Sequence, residues 1–314
     1  LIVKKREIPR KLQVLEALIR RLSMNHPRFS FIQEEYAKRL AGYHGERQVD
    51  YQLNLLPQKP LYIFHDLRLP HYQHYFQIDT LLITENYAVI LEVKNFTGTL
   101  VFDEHFKQLI RTADGKEEGF QSPLVQAENQ RRKLKEYLQQ HQLPSLPVES
   151  LIVISHPGTI IKADNDKEEV SQKVIHSEFL AERLDQLKNN YAHSPSFPIE
   201  KVFKHLLTSH TELTAKDYLF KGINKKDIRT GVQCPECKKF SMKRLYNNWY
   251  CPFCSSKSKD AHLQALNDYL LLVNPSITNN QCQKFLHINR HLAKRILSKN
   301  LKVSGYANKR VYFK

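Results

Sequence analysis

The strongest constraint on this chain is a set of four cysteines in two short knuckles, Cys234-Pro-Glu-Cys237 and Cys251-Pro-Phe-Cys254. With 13 residues between them, they have the spacing of a four-thiolate zinc ribbon. Each knuckle offers two thiolates from one tight turn, and the proline after the first cysteine stiffens that turn. Between the knuckles, Met242–Tyr246 and Trp249–Cys251 read as hairpin strands around Asn247-Asn248, because asparagine tolerates positive φ. Disulfides are the alternative, but the five cysteines offer no other paired spacing and fit a reducing compartment better. The fifth, Cys282, is expected to be a buried or half-buried thiol.

Charge is the second constraint. The chain has 314 residues and a formal net charge of +16. Residues 1–220 hold 29 basic and 28 acidic side chains, whereas residues 221–314 hold 19 and 4. From residue 269 onward there are nine lysines or arginines and no acid. A field of one sign over that length suits a polyanionic partner, nucleic acid above all, with a merely solubilising surface as the alternative. An anionic membrane fits less well, since tyrosine and asparagine interleave the bases and no long basic amphipathic helix stands out. Apolar runs such as Leu151–Ile154 fall far short of the roughly 18 residues of a membrane span. No secretory apolar segment follows Lys4, Lys5 and Arg6, so a cytoplasmic location is expected. The absence of G-x4-G-K-[ST] argues against an ATP-driven motor.

Periodicity predicts a helix over residues 7–24 and another over Phe29–Leu40, with a break at Gly42 and Gly45. A further helix from Glu46, through Val49, Leu53 and Leu56, is expected to end at Pro57. Strand-like runs follow at Leu61–Leu67, Phe76–Thr84, Tyr87–Val93 and Thr99–Phe102, the middle pair joined by a turn at Glu85-Asn86. Thr112–Gly119 reads as a polar loop. Pro123 opens a helix to about Gln140, and Ser150–Ser155 reads as a buried strand. This order predicts an α/β fold with a mixed sheet flanked by helices. Lys216–Gly231 reads as a linker, and Ala261–Val273 as a helix with Leu263, Leu266, Leu270 and Val273 inward.

The chemistry-bearing residues sit on the central hairpin. One strand carries Gln77-Ile78-Asp79 and its partner Glu92-Val93-Lys94, so Glu92 and Lys94 share a face. Asp79 lies in an apolar run, where a carboxylate is costly without a cation. Two carboxylates and an ammonium converging on a strand pair suit Mg²⁺-dependent phosphodiester hydrolysis. A purely structural ion pair at a strand end is the alternative.

The segments "FHDLRLP", "FQIDTLLIT", "VILEVKNFTG" and "SPLVQAENQ" stand in the order seen in the nuclease-related domain (NERD) family, which the chain resembles over about residues 43–155. The resemblance implies a restriction-endonuclease-like fold with a PD-(D/E)xK site, although Ile78 replaces the proline of that label. It further implies Asp79 and Glu92 as ligands of Mg²⁺ or Mn²⁺, Lys94 as the family's lysine, Glu46 as an upstream metal ligand and Gln126, on the crossover helix, as the glutamine that follows the site in several relatives. Asp66 and Arg68 are read as structural, and His65, His71 and His74 as surface histidines.

Beyond Ser276, Thr278 is a plausible N-cap and two helices meet at a His287–Asn289 turn, the second over Arg290–Lys299. Arg290, Lys294, Arg295 and Lys299 decorate its exposed side, and Leu301–Val303 with Arg310–Phe313 resembles a wing. A small helical cap beside the ribbon is the alternative. The expected organisation is an N-terminal helical segment (1–42), the nuclease-like domain (43–155), an extension of that core (156–215), a linker (216–231), the zinc ribbon (232–258) and a winged-helix-like basic module (261–314). Together these predict a metal-dependent DNA nuclease of bacterial type with structural Zn²⁺. A non-catalytic nucleic-acid-binding adaptor and an RNA-processing nuclease are the rival readings.

Overall fold

The computed structural model describes residues 1–56, 61–164, 167–213, 222–306 and 310–314. The first two helices are α1 (Arg10–Arg21) and α2 (Phe29–Asn54). The expected break at Gly42 and Gly45 is absent: α2 runs straight through, and its expected end at Pro57 lies outside the described residues. Gly45 has a different use. A Cβ there would stand 2.6 Å from both Asn95 Cβ and Ser155 Oγ, so its missing side chain lets α2 approach two strand ends.

The chain divides into two compact units: Leu1–Ile8 with Arg39–Glu212, and Pro9–Lys38 with Leu213–Lys314. The stretch read as one N-terminal segment is therefore split, since α1 and the start of α2 cluster with the C-terminal half. Only eight residues at the start join the first unit.

The first unit is built on strands β1 (Ile2–Lys4), β2 (Tyr62–His71), β3 (His74–Ile83), β4 (Ala88–Lys94), β5 (Thr99–Asp103), β6 (Gln108–Ala113), β7 (Lys116–Gln121), β8 (Val148–Ile154), β9 (Ile160–Ala163) and β10 (Val174–His176). Its helices are the remainder of α2, then α3 (Pro123–Gln140), α4 (Lys167–Lys173), α5 (Leu180–Asn190) and α6 (Ile199–Ser209). A six-stranded mixed sheet has the order β1-β2-β3-β4-β8-β10, and a four-stranded one the order β7-β6-β5-β9. Strand β4 is central: β3 pairs with it antiparallel, and β8 pairs with it parallel after the crossover through α3. A strand covered on both faces reads as a continuous apolar run, and Ala88–Leu91 is buried throughout. Ile90 packs in one cluster with Leu134 and Leu138 of α3, while Val89 and Leu91 join Val49 and Leu53 of α2 in another. The α/β fold with a mixed sheet is as expected from the order of elements.

The expected polar loop at Thr112–Gly119 instead belongs to the hairpin β6–β7. Asp114 and Gly115 take φ of 51° and 72° at its turn, and backbone pairing alone carries strands that bury little.

The second unit contains the ribbon strands β11 (Lys243–Leu245), β12 (Asn248–Tyr250) and β13 (Lys257–Ser258), then α7 (Ala261–Leu272), α8 (Asn279–Leu286), α9 (Arg290–Asn300) and the pair β14 (Lys302–Ser304) and β15 (Val311–Phe313). Leu15 and Leu18 of α1, Trp249 of the ribbon, Leu266 of α7 and Ile296 of α9 share one apolar core. The linker expected at 216–231 is described from Gly222 onward, where Ile228 is buried in that same core. Leu263, expected to face inward on α7, is exposed. The hairpin turn also differs: the left-handed residue is Tyr246, not an asparagine. Thr278 and Gln281 form a capping box at the start of α8, and the Asn289 side chain caps α9.

Candidate functional site

In the first unit the sheet forks where the chemistry-bearing residues stand. Pairing between β3 and β4 ends at Thr80–Leu91. One step further, the Val93 N–H donates to Asp79 Oδ2 at 3.2 Å instead of continuing the ladder. Across β3, Asp66 leaves the β2 pairing with φ 51°, while His65–Thr80 and Leu67–Ile78 keep register around it.

Glu92 is almost fully buried and spoken for at both oxygens. Lys94 Nζ donates to its Oε1 at 2.7 Å, and Gln130 Nε2 donates to its Oε2 at 2.8 Å. Lys94 Nζ also donates to Gln126 Oε1 at 3.0 Å. Gln126 and Gln130 stand one turn apart on α3, which the parallel crossover lays over the end of β4. Thus Asp79, Glu92, Lys94 and Gln126 are brought into one place. Burial pushes the Asp79 carboxyl well above its usual range, and the charges of Glu92 and Glu46 push it further the same way.

Glu46, which α2 delivers past Gly45, has a different immediate partner. Arg6 Nη1 donates to Glu46 Oε2 at 2.7 Å and to Asp66 Oδ1 at 2.9 Å, and Arg6 Nε donates to Asp50 Oδ2 at 2.9 Å. The same guanidinium donates to Thr80 Oγ1 and to the Asp79 carbonyl, at 2.8 and 3.2 Å. Burial alone would weaken the Arg6 charge; the hydrogen bond to Asp50 and the charges of Asp66 and Glu46 override it and hold the group firmly protonated. Burial raises Glu46 to about 7 against the pull of Arg6, with Asp66, Asp50 and Glu92 adding to the rise. His65, read as a surface histidine, is buried against Thr80, and burial lowers it to about 4. His71 pairs with Glu136 at 2.8 Å, and His74 is exposed.

The donor set suits a hard divalent cation. The charges of Glu92 and Glu46 act on Asp79, and that of Glu92 acts on Glu46, which a cation would relieve, although among the described residues these oxygens do not converge on one point as the four cysteine sulfurs do.

In the second unit, the sulfurs of Cys234, Cys237, Cys251 and Cys254 all lie within 4.8 Å of one another. Cys234 to Cys254 and Cys237 to Cys251 are each 3.6 Å, too long for disulfides. A tetrahedron with Zn–S bonds of 2.3 Å has edges of about 3.8 Å, so the four could hold one zinc ion. Cys282 is fully buried, and burial pushes its thiol up to about 12.

Residues 41–155 match the family model described as nuclease-related domain. That span holds Glu46, Asp79, Glu92, Lys94 and Gln126. The chain carries a nuclease-related domain. Searches of curated proteins and of solved structures found no match. A nuclease-related domain implies a nucleic-acid substrate. Among the described residues no helix is long and apolar enough to cross a membrane.

Arg290, Lys294, Arg295 and Lys299 all lie exposed on α9, outside the matched span. Sequence reasoning missed Arg6 altogether. It stands 40 positions before Glu46 and 73 before Asp79, in the basic start just ahead of the helix expected from residue 7, and the parallel pairing of β1 with β2 brings it to the site.

Proposed function

We propose that the nuclease-related domain hydrolyses phosphodiester bonds of DNA, with Mg²⁺ or Mn²⁺ held by Asp79 and Glu92 and with Glu46 as a further oxygen ligand. The observation that carries this reading is the Lys94 ammonium suspended between Glu92 and Gln126, at the fork where Asp79 faces β4. A bound divalent ion supplies polarisation of the phosphate and a more acidic water.

The chain's own residues do the rest. Asp79 and Glu92 present carboxylate oxygens to a cation, and a bound ion would share Glu92 with the Lys94 ammonium that already meets it. Gln130 holds one oxygen of Glu92 and thereby fixes its rotamer. Gln126 holds Lys94 in place, so that the ammonium can orient a water or meet the charge that develops on phosphate. Lys94 thus works in the transition state more than in binding. The four-cysteine ribbon, with zinc bound, and the basic module, through Arg290, Lys294, Arg295 and Lys299, hold the nucleic acid. A cytoplasmic, reducing setting would keep the four thiols free for metal.

One observation favours the rival reading of a non-catalytic adaptor. Glu46 and Glu92 are already neutralised by Arg6 and Lys94 without any ion.

Incubating the purified full chain with labelled DNA or RNA, with Mg²⁺, Mn²⁺ or chelator, separates these readings. DNA should be cut only with a divalent ion. Asp79→Ala and Glu92→Ala should each lower cleavage on the order of a thousandfold with the fold intact, and Lys94→Ala should lower kcat more than it raises Kd. Cleavage of RNA alone would make the enzyme a ribonuclease. Undiminished cleavage by folded Asp79→Ala protein would sink the mechanism, and none by the wild type would favour the adaptor.

A further inference from the structure

A groove of about 900 Å³ lies in the second unit, between the ribbon hairpin and the corner where α8 meets α9. Lys243, Arg244 and Tyr246 line it from the ribbon, and His287, His291 and Arg295 from the helices. Among the described residues no carboxylate lines it. Its geometry follows from local sequence. His287 ends α8 in a left-handed conformation and its ring Nε2 meets Thr230 Oγ1 at 2.8 Å, while Asn289 caps the next helix. Opposite, Arg244 pairs in register with Trp249 across the hairpin and its guanidinium lies 5.6 Å from the Trp249 ring centre. That ring is buried and its N–H donates to His262 Nδ1 at 3.0 Å, so the platform under Arg244 is fixed.

Arg244 is the anomaly. Its Nε and Nη1 atoms are shut off from solvent, yet neither has a hydrogen-bond partner. Burial lowers its pKa, and the charge of Arg295 lowers it further. Two guanidiniums that repel each other make an unfavourable pair alone. With an anion between them, met by Arg295 and by the Arg244 Nη2 that is not among the shut-off atoms, the same pair becomes favourable.

We infer that this groove takes the sugar-phosphate backbone of a nucleic acid, with a phosphate seated between Arg244 and Arg295. The inference rests on the reading of the basic unit as a nucleic-acid holder, and it adds a ribbon residue and a place for the strand. Tyr246, 98% exposed at the hairpin tip, extends the groove with a flat ring for a sugar or an unpaired base.

The test is fluorescence anisotropy of a labelled DNA duplex with the full chain, without divalent ions other than zinc, across a series of salt concentrations. Arg244→Gln and Arg295→Gln should each weaken binding about tenfold, and the double variant should flatten the log Kd against log salt slope by about two, near 0.9 for each lost phosphate contact. Lys201→Gln, an exposed cation on α6 of the first unit, should weaken it less than threefold. Unchanged zinc content and Trp249 emission show that each variant has folded, and Arg295 is exposed, so its variant carries the test if Arg244→Gln does not fold. If Arg295→Gln and the double variant bind as the wild type does, while combined loss of Arg290, Lys294 and Lys299 abolishes binding, the groove is not the strand's path although the basic unit still holds nucleic acid. If the wild type binds no duplex even at low salt, the reading of the whole unit falls, and the groove with it.

Discussion

The two units use charge in opposite ways. The first carries 22 basic and 24 acidic side chains, a net −2; the second carries 26 and 8, a net +18. The contrast is sharper than any cut along the sequence gives, because α1 and its arginines cluster with the C-terminal half. In the first unit charges are turned inward against one another: Arg6 alone meets Glu46, Asp50 and Asp66. In the second, the few acids serve internal contacts. Asp268 takes Arg20 and Arg21, Glu35 takes Lys11, and Asp227 caps Asn224 beside His26. Little acid is left to balance α9 or the ribbon. Near-neutrality in the first unit fits the proposed internal site, and surplus in the second fits the proposed nucleic-acid-holding surface.

Removing zinc should break the comparison most completely. The four clustered cysteines could bind one zinc ion, and the ribbon's Trp249 sits in the core shared by α1, α7 and α9. The chain has a single tryptophan, so its emission reports the second unit alone. Stripping the metal with a strong chelator at neutral pH should shift that emission to the red, whereas amide exchange in Ala88–Leu91 should stay slow. Zinc analysis should give one ion per chain before treatment. An apo-protein with unchanged emission would show that the apolar core, not the metal, holds the unit.

How much of this was legible depended on the distance over which each signal acts. The cysteine knuckles, the Thr278 N-cap and the α3 crossover are local patterns, and the structure follows them. Asp114-Gly115 was a local turn signal too, but Lys116–Gln121 buries almost nothing, so apolar alternation could not reveal its strand. Gly45 was misread because glycine lowers helix propensity, whereas here the neighbouring strand ends decide its use. Asp79, Glu92 and Lys94 were visible as a pattern because a hairpin keeps them near in sequence. Arg6 was invisible because nothing within a dozen residues of it hints at three carboxylates far along the chain.

Arg6→Ala should produce the next largest effect and should confine it to the first unit. Removing one member of a buried ion network strands the others, at a cost of about 3–5 kcal/mol. Here Glu46, Asp50 and Asp66 would lose their shared cation, and Thr80 and the Asp79 carbonyl a donor. Amide exchange in β3 and β4 should accelerate accordingly while Trp249 emission stays put. An effect under 1 kcal/mol would mean that the carboxylates take up protons and relax, leaving Arg6 a minor partner.

The smallest of these effects is a pH slope at His65, and its sign tests whether the first unit's interior is as balanced as it looks. Burial holds this imidazole near 4 in the folded chain, against an ordinary value of 6.5. Between those values the unfolded chain binds the extra proton and the folded chain does not, so His65 favours the fold above pH 6.5 and that contribution is lost as pH falls through 4. The ring is nearly inaccessible, so the full effect is on the order of 3 kcal/mol. Glu46 and Asp66, raised by burial, pull the other way as acid protonates them in the fold, and total stability mixes the two. The difference between wild type and His65→Gln, measured by urea unfolding from pH 7 to 4, isolates the histidine. The wild type should lose more stability over that range than the variant does. Parallel curves would show that the fold leaves His65 at its ordinary value, and a wild type that gains stability relative to the variant as pH falls would show an imidazolium already charged in the fold, paired with Asp50 at 3.3 Å. The Arg6 network would then hold a second buried cation, and the first unit's balance would rest on two positive centres instead of one.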